Sequence, residues 1–189
     1  MGELRNKSGF TLIEILVSMA LFIIIITAAL NIFKLVIDSQ RSAIATQNVE
    51  ESLKYFLEVT GKEIRMAKRN VDGTCNLPVT DIYKITTNDA TSDTLTFKNY
   101  HDQCVTYTLT TQADGTKRFS ITRAGVPGFI TPAKISIDEL HFIVRPEGGA
   151  NNSQPTVTME LLAHAPGKDS AKSEMRLQTT LTSRYYLKN

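Results

Sequence analysis

Glu14 is the residue whose type and position raise the first chemical question in this sequence. It is the only ionisable residue between Phe10 and Phe33, in an otherwise apolar run. A carboxylate inside a membrane-length segment costs roughly 2.5–3.5 kcal/mol on insertion scales, so its presence predicts a functional role. Proximity to the cytoplasmic end, where water reaches the side chain, would reduce this cost.

Two cysteines and three histidines are the other residues that could do chemistry. Cys75 and Cys104 both lie in the second part of the chain, and an extracytoplasmic location would favour a disulfide between them. Two free, buried thiols are the alternative. His101, His141 and His164 are isolated in the sequence, with no cysteine or second histidine at metal-ligand spacing.

Two weaker clusters also have a structural alternative. The first is a loose acidic group that could bind calcium, formed by Asp81, Asp89, Asp93 and Asp102, although its spacing fits no calcium loop. The second is a small basic group that could touch DNA or simply form a solvated strand face, formed by Lys117, Arg118 and Arg123. There is no phosphate-binding loop or nucleophile elbow. We therefore predict no catalytic residue, no metal and no cofactor, so the protein is not expected to be an enzyme.

The run 10–33 is long enough to cross a membrane. As a helix it would rise about 36 Å, more than the ~30 Å of a hydrocarbon core. Arg5 and Lys7 precede it, so the N-terminus should stay cytoplasmic and the remainder be exported. A secretory signal peptide cut near Thr27-Ala28-Ala29 and a plain single-pass anchor are alternatives, but neither explains Glu14.

The residues around Glu14 resemble a known signal. The stretch KSGFTLIE at residues 7–14, followed by an uninterrupted apolar run, closely resembles the class III signal of type IV pilins and type II secretion pseudopilins. The resemblance implies cleavage by prepilin peptidase between Gly9 and Phe10 and N-methylation of Phe10. It also implies that Glu14 faces the N-terminal amine of a neighbouring subunit during filament assembly. That pairing would make a carboxylate in a low dielectric tolerable.

The rest of the chain predicts an α+β architecture, which the resemblance identifies as pilin-like. We expect a cleaved basic leader at 1–9, a long helix at 10–69 whose first part spans the membrane, and an exported β-rich domain at 70–189. A helical stripe that includes Ile44, Val49, Leu53 and Phe56 should pack on the domain. The turn after the helix is predicted at 70–73, a hairpin turn at 112–115, and loops at 125–132 and 147–155.

Seven antiparallel strands are expected in the exported domain. They cover residues 81–87, 94–98, 104–111, 117–123, 134–144, 156–163 and 175–183. Segments of this part, including FSITR at 119–123 and LQTTLTSR at 177–184, are similar to minor pilins and J-type minor pseudopilins.

These observations predict a minor pilin or pseudopilin, a structural subunit of a type IV pilus or type II secretion pseudopilus. The implied partners are other pilin or pseudopilin subunits, prepilin peptidase, inner-membrane lipid and the assembly platform. The implied location is the bacterial inner membrane, single-pass, and then the filament. The net charge of +2 does not argue for nucleic acid as an obligate partner. An anchored or secreted extracytoplasmic binding or adhesion protein is the alternative.

Overall fold

A computed structural model describes residues 9–79, 81–145, 154–166 and 173–184. The chain divides into two compact units, Met1–Arg41 and Ser42–Asn189. The predicted α+β class is confirmed: one long helix, α1 (Leu12–Arg65), is followed by strands that all pair antiparallel. Most of the loop predicted at 147–155, namely residues 147–153, lies outside the described residues.

In the first unit, α1 presents apolar side chains in every direction. Phe10 is 78 % exposed and Ile25 is 65 % exposed, and the large apolar side chains between them are exposed as well. Among the described residues, α1 is the one helix long and apolar enough to cross a membrane. Side chains without a protein core around them fit a segment whose solvent is lipid.

The second unit contains two sheets. The first has the order β1 (Tyr83–Thr87), β2 (Asp93–Lys98), β3 (Cys104–Thr111), β4 (Lys117–Arg123) and β5 (Val126–Phe129). The second has the order β6 (Ser136–Arg145), β7 (Thr156–His164) and β8 (Met175–Thr182). Each sheet is an up-and-down meander, as short sequential connections favour.

Within this unit, the last part of α1 packs on an aromatic core. Phe56 lies edge-on to Phe119, with ring centroids 4.6 Å apart. The ring of Phe119 lies 5.1 Å from that of Tyr107, and the ring of Tyr107 lies 5.2 Å from that of Phe97. Such edge-to-face pairs add to the stabilisation from burial. Leu53 is also buried, as the predicted stripe requires, whereas Ile44 is 59 % exposed and does not belong to the stripe.

The helix ends at Arg65, earlier than the predicted Arg69. The sheets satisfy carbonyl groups of its last turn: Tyr83 Oη donates to Ile64 O at 2.6 Å and Arg184 N donates to Arg65 O at 2.7 Å. Beyond the helix, the backbone of Lys68 pairs antiparallel with that of Lys98 in β2, with Lys68 N donating to Lys98 O at 2.8 Å. The chain therefore leaves the helix because strands supply the hydrogen bonds that a further turn would have made.

The prediction of a loop at 125–132 was wrong in part, because β5 lies there. Ala124 and Gly125 both have positive φ, 47° and 83°, which makes the two-residue turn that suits a tight hairpin. Pro127 pairs with Thr122 on an edge strand, where its missing N–H is tolerated. The strand bounds otherwise agree within two residues, and the turn at 112–115 is present, closed by Gln112 N donating to Thr116 O at 2.8 Å.

Candidate functional site

The N-terminal segment gives Glu14 a local role that the sequence analysis did not identify. Thr11 precedes the first residue of α1, and Glu14 N donates to Thr11 O at 3.2 Å and to Thr11 Oγ1 at 3.4 Å. A threonine followed three residues later by a glutamate is the sequence pattern of a capping box. A carboxylate in the first turn also stabilises the helix, because it lies near the positive end of the helix dipole. Glu14 therefore lies where a helix begins.

The Gly9–Phe10 peptide bond lies just before the helix, in non-helical chain. Both residues are exposed. A Cβ built on Gly9 would have no described atom within 4 Å, so the glycine is not explained by crowding. Among the described residues, nothing covers this peptide bond.

Another glutamate of α1, Glu63, is buried against the first sheet. The sequence analysis did not identify it. Arg123 Nη2 and Nε donate to its two carboxylate oxygens at 2.8 and 2.9 Å. Tyr107 Oη donates at 2.6 Å and Asn99 Nδ2 at 3.2 Å. The signal that could have found it is its spacing, because Glu63 stands between the buried Thr60 and Ile64 on the core face of the helix.

The surroundings of Glu63 fix its charge state. Burial alone would raise the pKa of Glu63, but the hydrogen bonds from Arg123, Tyr107 and Asn99 outweigh burial and hold the pKa below its ordinary value. The same hydrogen bond raises the pKa of the Arg123 guanidinium. The pKa of Tyr107 is also raised, mainly because the phenol is buried and secondly because the negative charge of Glu63 lies beside it. The pair is thus ionised at neutral pH and joins α1 to β4 and β3.

The predicted disulfide between Cys75 and Cys104 is present and connects the segment after α1 to β3. Asn70 organises the same segment. Its side-chain amide donates to Cys75 O and Leu77 O at 2.9 and 3.0 Å, and its oxygen accepts from Cys75 N at 3.1 Å. Gly73 supplies the positive φ, 65°, in the turn between them.

Two histidines that look isolated in the sequence contact carboxylates. His141 Nδ1 lies 3.2 Å from Asp93 Oδ2, and His164 Nδ1 lies 2.7 Å from Asp138 Oδ2. The first pair links β6 to β2 of the other sheet, and the second links the paired strands β7 and β6. No described cluster of histidine, cysteine, aspartate or glutamate could hold a metal ion.

The structure separates the members of the loose acidic group. Asp93 also accepts from Phe142 N at 3.1 Å, Asp89 accepts from Thr91 N at 2.7 Å, and Asp102 pairs with Lys68 at 2.9 Å. Each carboxylate has a local partner. The arrangement therefore gives no support to a calcium site.

The small basic group does not form a free cationic face. Arg123 binds Glu63 as described above. Arg118 donates to Thr131 O and lies over the ring of Phe129, 4.3 Å from its centroid. Lys117 Nζ donates to Thr91 Oγ1 at 3.3 Å. These contacts tie the three cations to α1, to the β1–β2 turn and to the segment around β5, so each has a partner within the described part of the chain.

Comparison with protein families finds a match at the N-terminal end of the chain. The profile described as the prokaryotic N-terminal methylation motif matches residues 4–30. The chain carries a class III prepilin-type signal. The matched residues contain the Gly9–Phe10 bond, Glu14 and most of the exposed apolar part of α1, a combination that fits the type IV pilin family.

No curated protein and no solved structure matches the chain significantly. The match to the motif therefore carries the comparison. It indicates a structural subunit and fits membrane anchoring with an exported C-terminal part.

Proposed function

We propose that this protein is a minor pilin or minor pseudopilin, a structural subunit of a type IV pilus or of a type II secretion pseudopilus. The observation that carries the proposal is the methylation motif at 4–30, which coincides with a helix that is apolar and exposed on all sides. The similarity of segments 119–123 and 177–184 to minor subunits supports the minor class.

In this proposal, residues 1–9 are a leader that prepilin peptidase removes. Cleavage between Gly9 and Phe10 leaves Phe10 as an N-methylated terminus, residues 10–33 anchor the chain in the bacterial inner membrane, and the β-rich part at 70–189 is exported. The leader is basic and short, and the apolar segment after it contains a single acid, which supports this order of events.

Glu14 then acts in assembly. Cleavage creates a positive amine at Phe10, and a neighbouring subunit's amine neutralises the Glu14 carboxylate when the apolar helices pack together. Because a buried carboxylate is strongly destabilised without a partner, helices packed in a wrong register would be rejected. Thr11 caps the backbone N–H of Glu14, and among the described contacts the Glu14 carboxylate makes no hydrogen bond or ion pair that would compete with this pairing.

Incorporation into filaments tests this function. Glu14→Val should be processed and inserted like the wild type, yet its content in filaments sheared from the producing cells should fall at least about tenfold, since an unpaired amine remains in the bundle. Ser18→Ala is the matched control, because Ser18 is the next polar residue along α1 and, among the described contacts, its hydroxyl donates to Glu14 O alone. Equal incorporation of Glu14→Val and wild type would refute the assembly role.

A further inference from the structure

The outer edge of β8 has hydrogen-bonding groups that no described residue uses. Ser183 N donates to Pro155 O, which fixes the alternation of the β7–β8 ladder. In an antiparallel pair, alternate residues direct both backbone groups to the partner strand and the others direct theirs away. The residues that face away are therefore the even-numbered ones: Arg176, Gln178, Thr180 and Thr182.

The next even residue shows what lies on that side. Arg184 N donates to Arg65 O at 2.7 Å, so the end of α1 covers the edge at Arg184. Within the described part of the chain, the backbone groups of the four even residues before it make no hydrogen bond. The ladder is regular over the whole strand, with no bulge.

The other three sheet edges are protected. β1 has only five residues, and β5 has four with a proline at position 127. β6 is covered, because Leu140 N donates to Thr91 O and Phe142 N donates to Asp93 Oδ2. Proteins shorten, cover or interrupt edges in these ways to prevent pairing with other chains. β8 has eight residues and no proline, and its one charged side chain, Arg176, stands at the start of the strand. Within the described residues nothing covers its edge before Arg184.

The end of this edge opens on a cationic cleft. The cleft has a volume of about 370 Å³ and lies between α1 and Leu181 of β8. Lys62, Arg65 and Arg184 line it, with Glu58 as the acidic neighbour, and none of the three cations forms an ion pair with another described residue. A carboxylate would balance this excess of positive charge.

We propose that β8 is a docking edge for an extended segment of a different protein, which pairs antiparallel to β8 and places an acidic residue near its N-terminal end in this cleft. Main-chain hydrogen bonds would give the affinity and the cationic cleft would fix the register. A second copy of β8 is a poorer occupant, since antiparallel pairing would bring its Arg176 towards Arg184 and Arg65. The inference does not depend on filament assembly.

The first test measures amide hydrogen exchange of the full-length protein in detergent micelles. In the free protein, the amides of Gln178, Thr180 and Thr182 should exchange faster than those of Leu177, Thr179 and Leu181. Slow exchange at the even positions would overturn the proposal, because the edge would already be covered. Protection that grows with protein concentration would assign the edge to a second copy and overturn it as well.

The second test adds a probe as long as β8, an acetylated peptide that alternates threonine and valine and begins with glutamate. It should bind and slow exchange at the even positions. Thr180→Pro, which removes an outward N–H without touching the β7 ladder, should weaken binding at least about tenfold, whereas Thr180→Ala, which keeps the N–H, should change it less than about twofold. A peptide beginning with lysine should bind several-fold more weakly. Absent binding, or binding that ignores both changes, would overturn the proposal.

Discussion

Glu14 and Glu63, two glutamates of one helix, illustrate how a charge is accommodated in apolar surroundings. Glu63 has all its partners within the chain, from Arg123, Tyr107 and Asn99. Glu14 has a local partner for its backbone N–H in Thr11, while its side chain lies among exposed apolar residues. The first carboxylate is therefore complete in a single subunit, and the second is suited to a partner from outside.

Removing Arg123 should expose the dependence of the fold on the Glu63 pair. Arg123→Ala leaves a buried carboxylate with only neutral donors, so we expect the free energy of unfolding to fall by about 2 kcal/mol. Urea unfolding of the full chain, followed by tyrosine fluorescence, measures it. Arg176→Ala is the matched control: its side chain is exposed and its partner Glu139 is only half-buried, so its loss should stay below about 0.5 kcal/mol. Equal effects of the two substitutions would contradict the assignment.

The same carboxylate should make stability depend on acid. Because the pKa of Glu63 lies below its ordinary value of 4.5, its stabilisation is fully present above that pH. It is lost as the pH falls through the lower, folded-state value, where the native carboxylate takes up a proton. Glu63→Gln should therefore flatten the decline of unfolding free energy below pH 4.5. Exposed carboxylates with lowered pKa, such as Asp72 at about 2, contribute equally to both proteins. Parallel pH curves would rule this out.

At the scale of elements, the segment between α1 and β1 is held by covalent and polar links in place of regular structure. The disulfide closes a loop with a sequence separation of 29 residues between Cys75 and Cys104. Asn70 supplies three hydrogen bonds inside that segment. Together the disulfide and these hydrogen bonds hold the segment that connects the end of α1 to the first sheet.

Replacing both cysteines should measure this link. In the chain-entropy description, Cys75→Ala with Cys104→Ala should lower the free energy of unfolding by about 3.5 kcal/mol, since the unfolded chain regains its freedom. Urea unfolding of this double variant beside the oxidised wild type gives the value. A loss below about 1 kcal/mol would mean that the polar contacts of Asn70 hold the segment without the disulfide.

Elements with a strong local pattern were predictable from the sequence, and those that depend on distant partners were not. The β3 and β4 bounds follow from the alternation of apolar and polar residues, Val105, Tyr107 and Leu109 in β3 and Phe119 and Ile121 in β4, and from the turn at 112–115. The end of α1 at Arg65 depends on Tyr83 and Arg184, which no local pattern reveals. The Glu63 network likewise needs Arg123, a residue 60 positions away. The turn before β5 lacks the usual Asn-Gly or Asp-Gly pair, because Ala124 takes the position with positive φ that Asn or Asp would normally occupy.

At the scale of the whole molecule, each of the two units has its own environment. The Met1–Arg41 unit exposes apolar side chains throughout its described helix, as lipid requires. The Ser42–Asn189 unit has a buried core and a disulfide, which fits an oxidising, extracytoplasmic environment. The leader motif and the single acid of the apolar run could be read from the sequence because they are contiguous.

The N-terminus and intact mass of the membrane-bound protein, produced with and without prepilin peptidase, show whether the chain is processed as a prepilin. We expect a chain that starts at methylated Phe10 only when the peptidase is present. Gly9→Val should abolish the cut, while Gly2→Val, which changes the other leader glycine, should not. A chain that remains uncut with active peptidase, or one trimmed near Ala29, would contradict the proposed function.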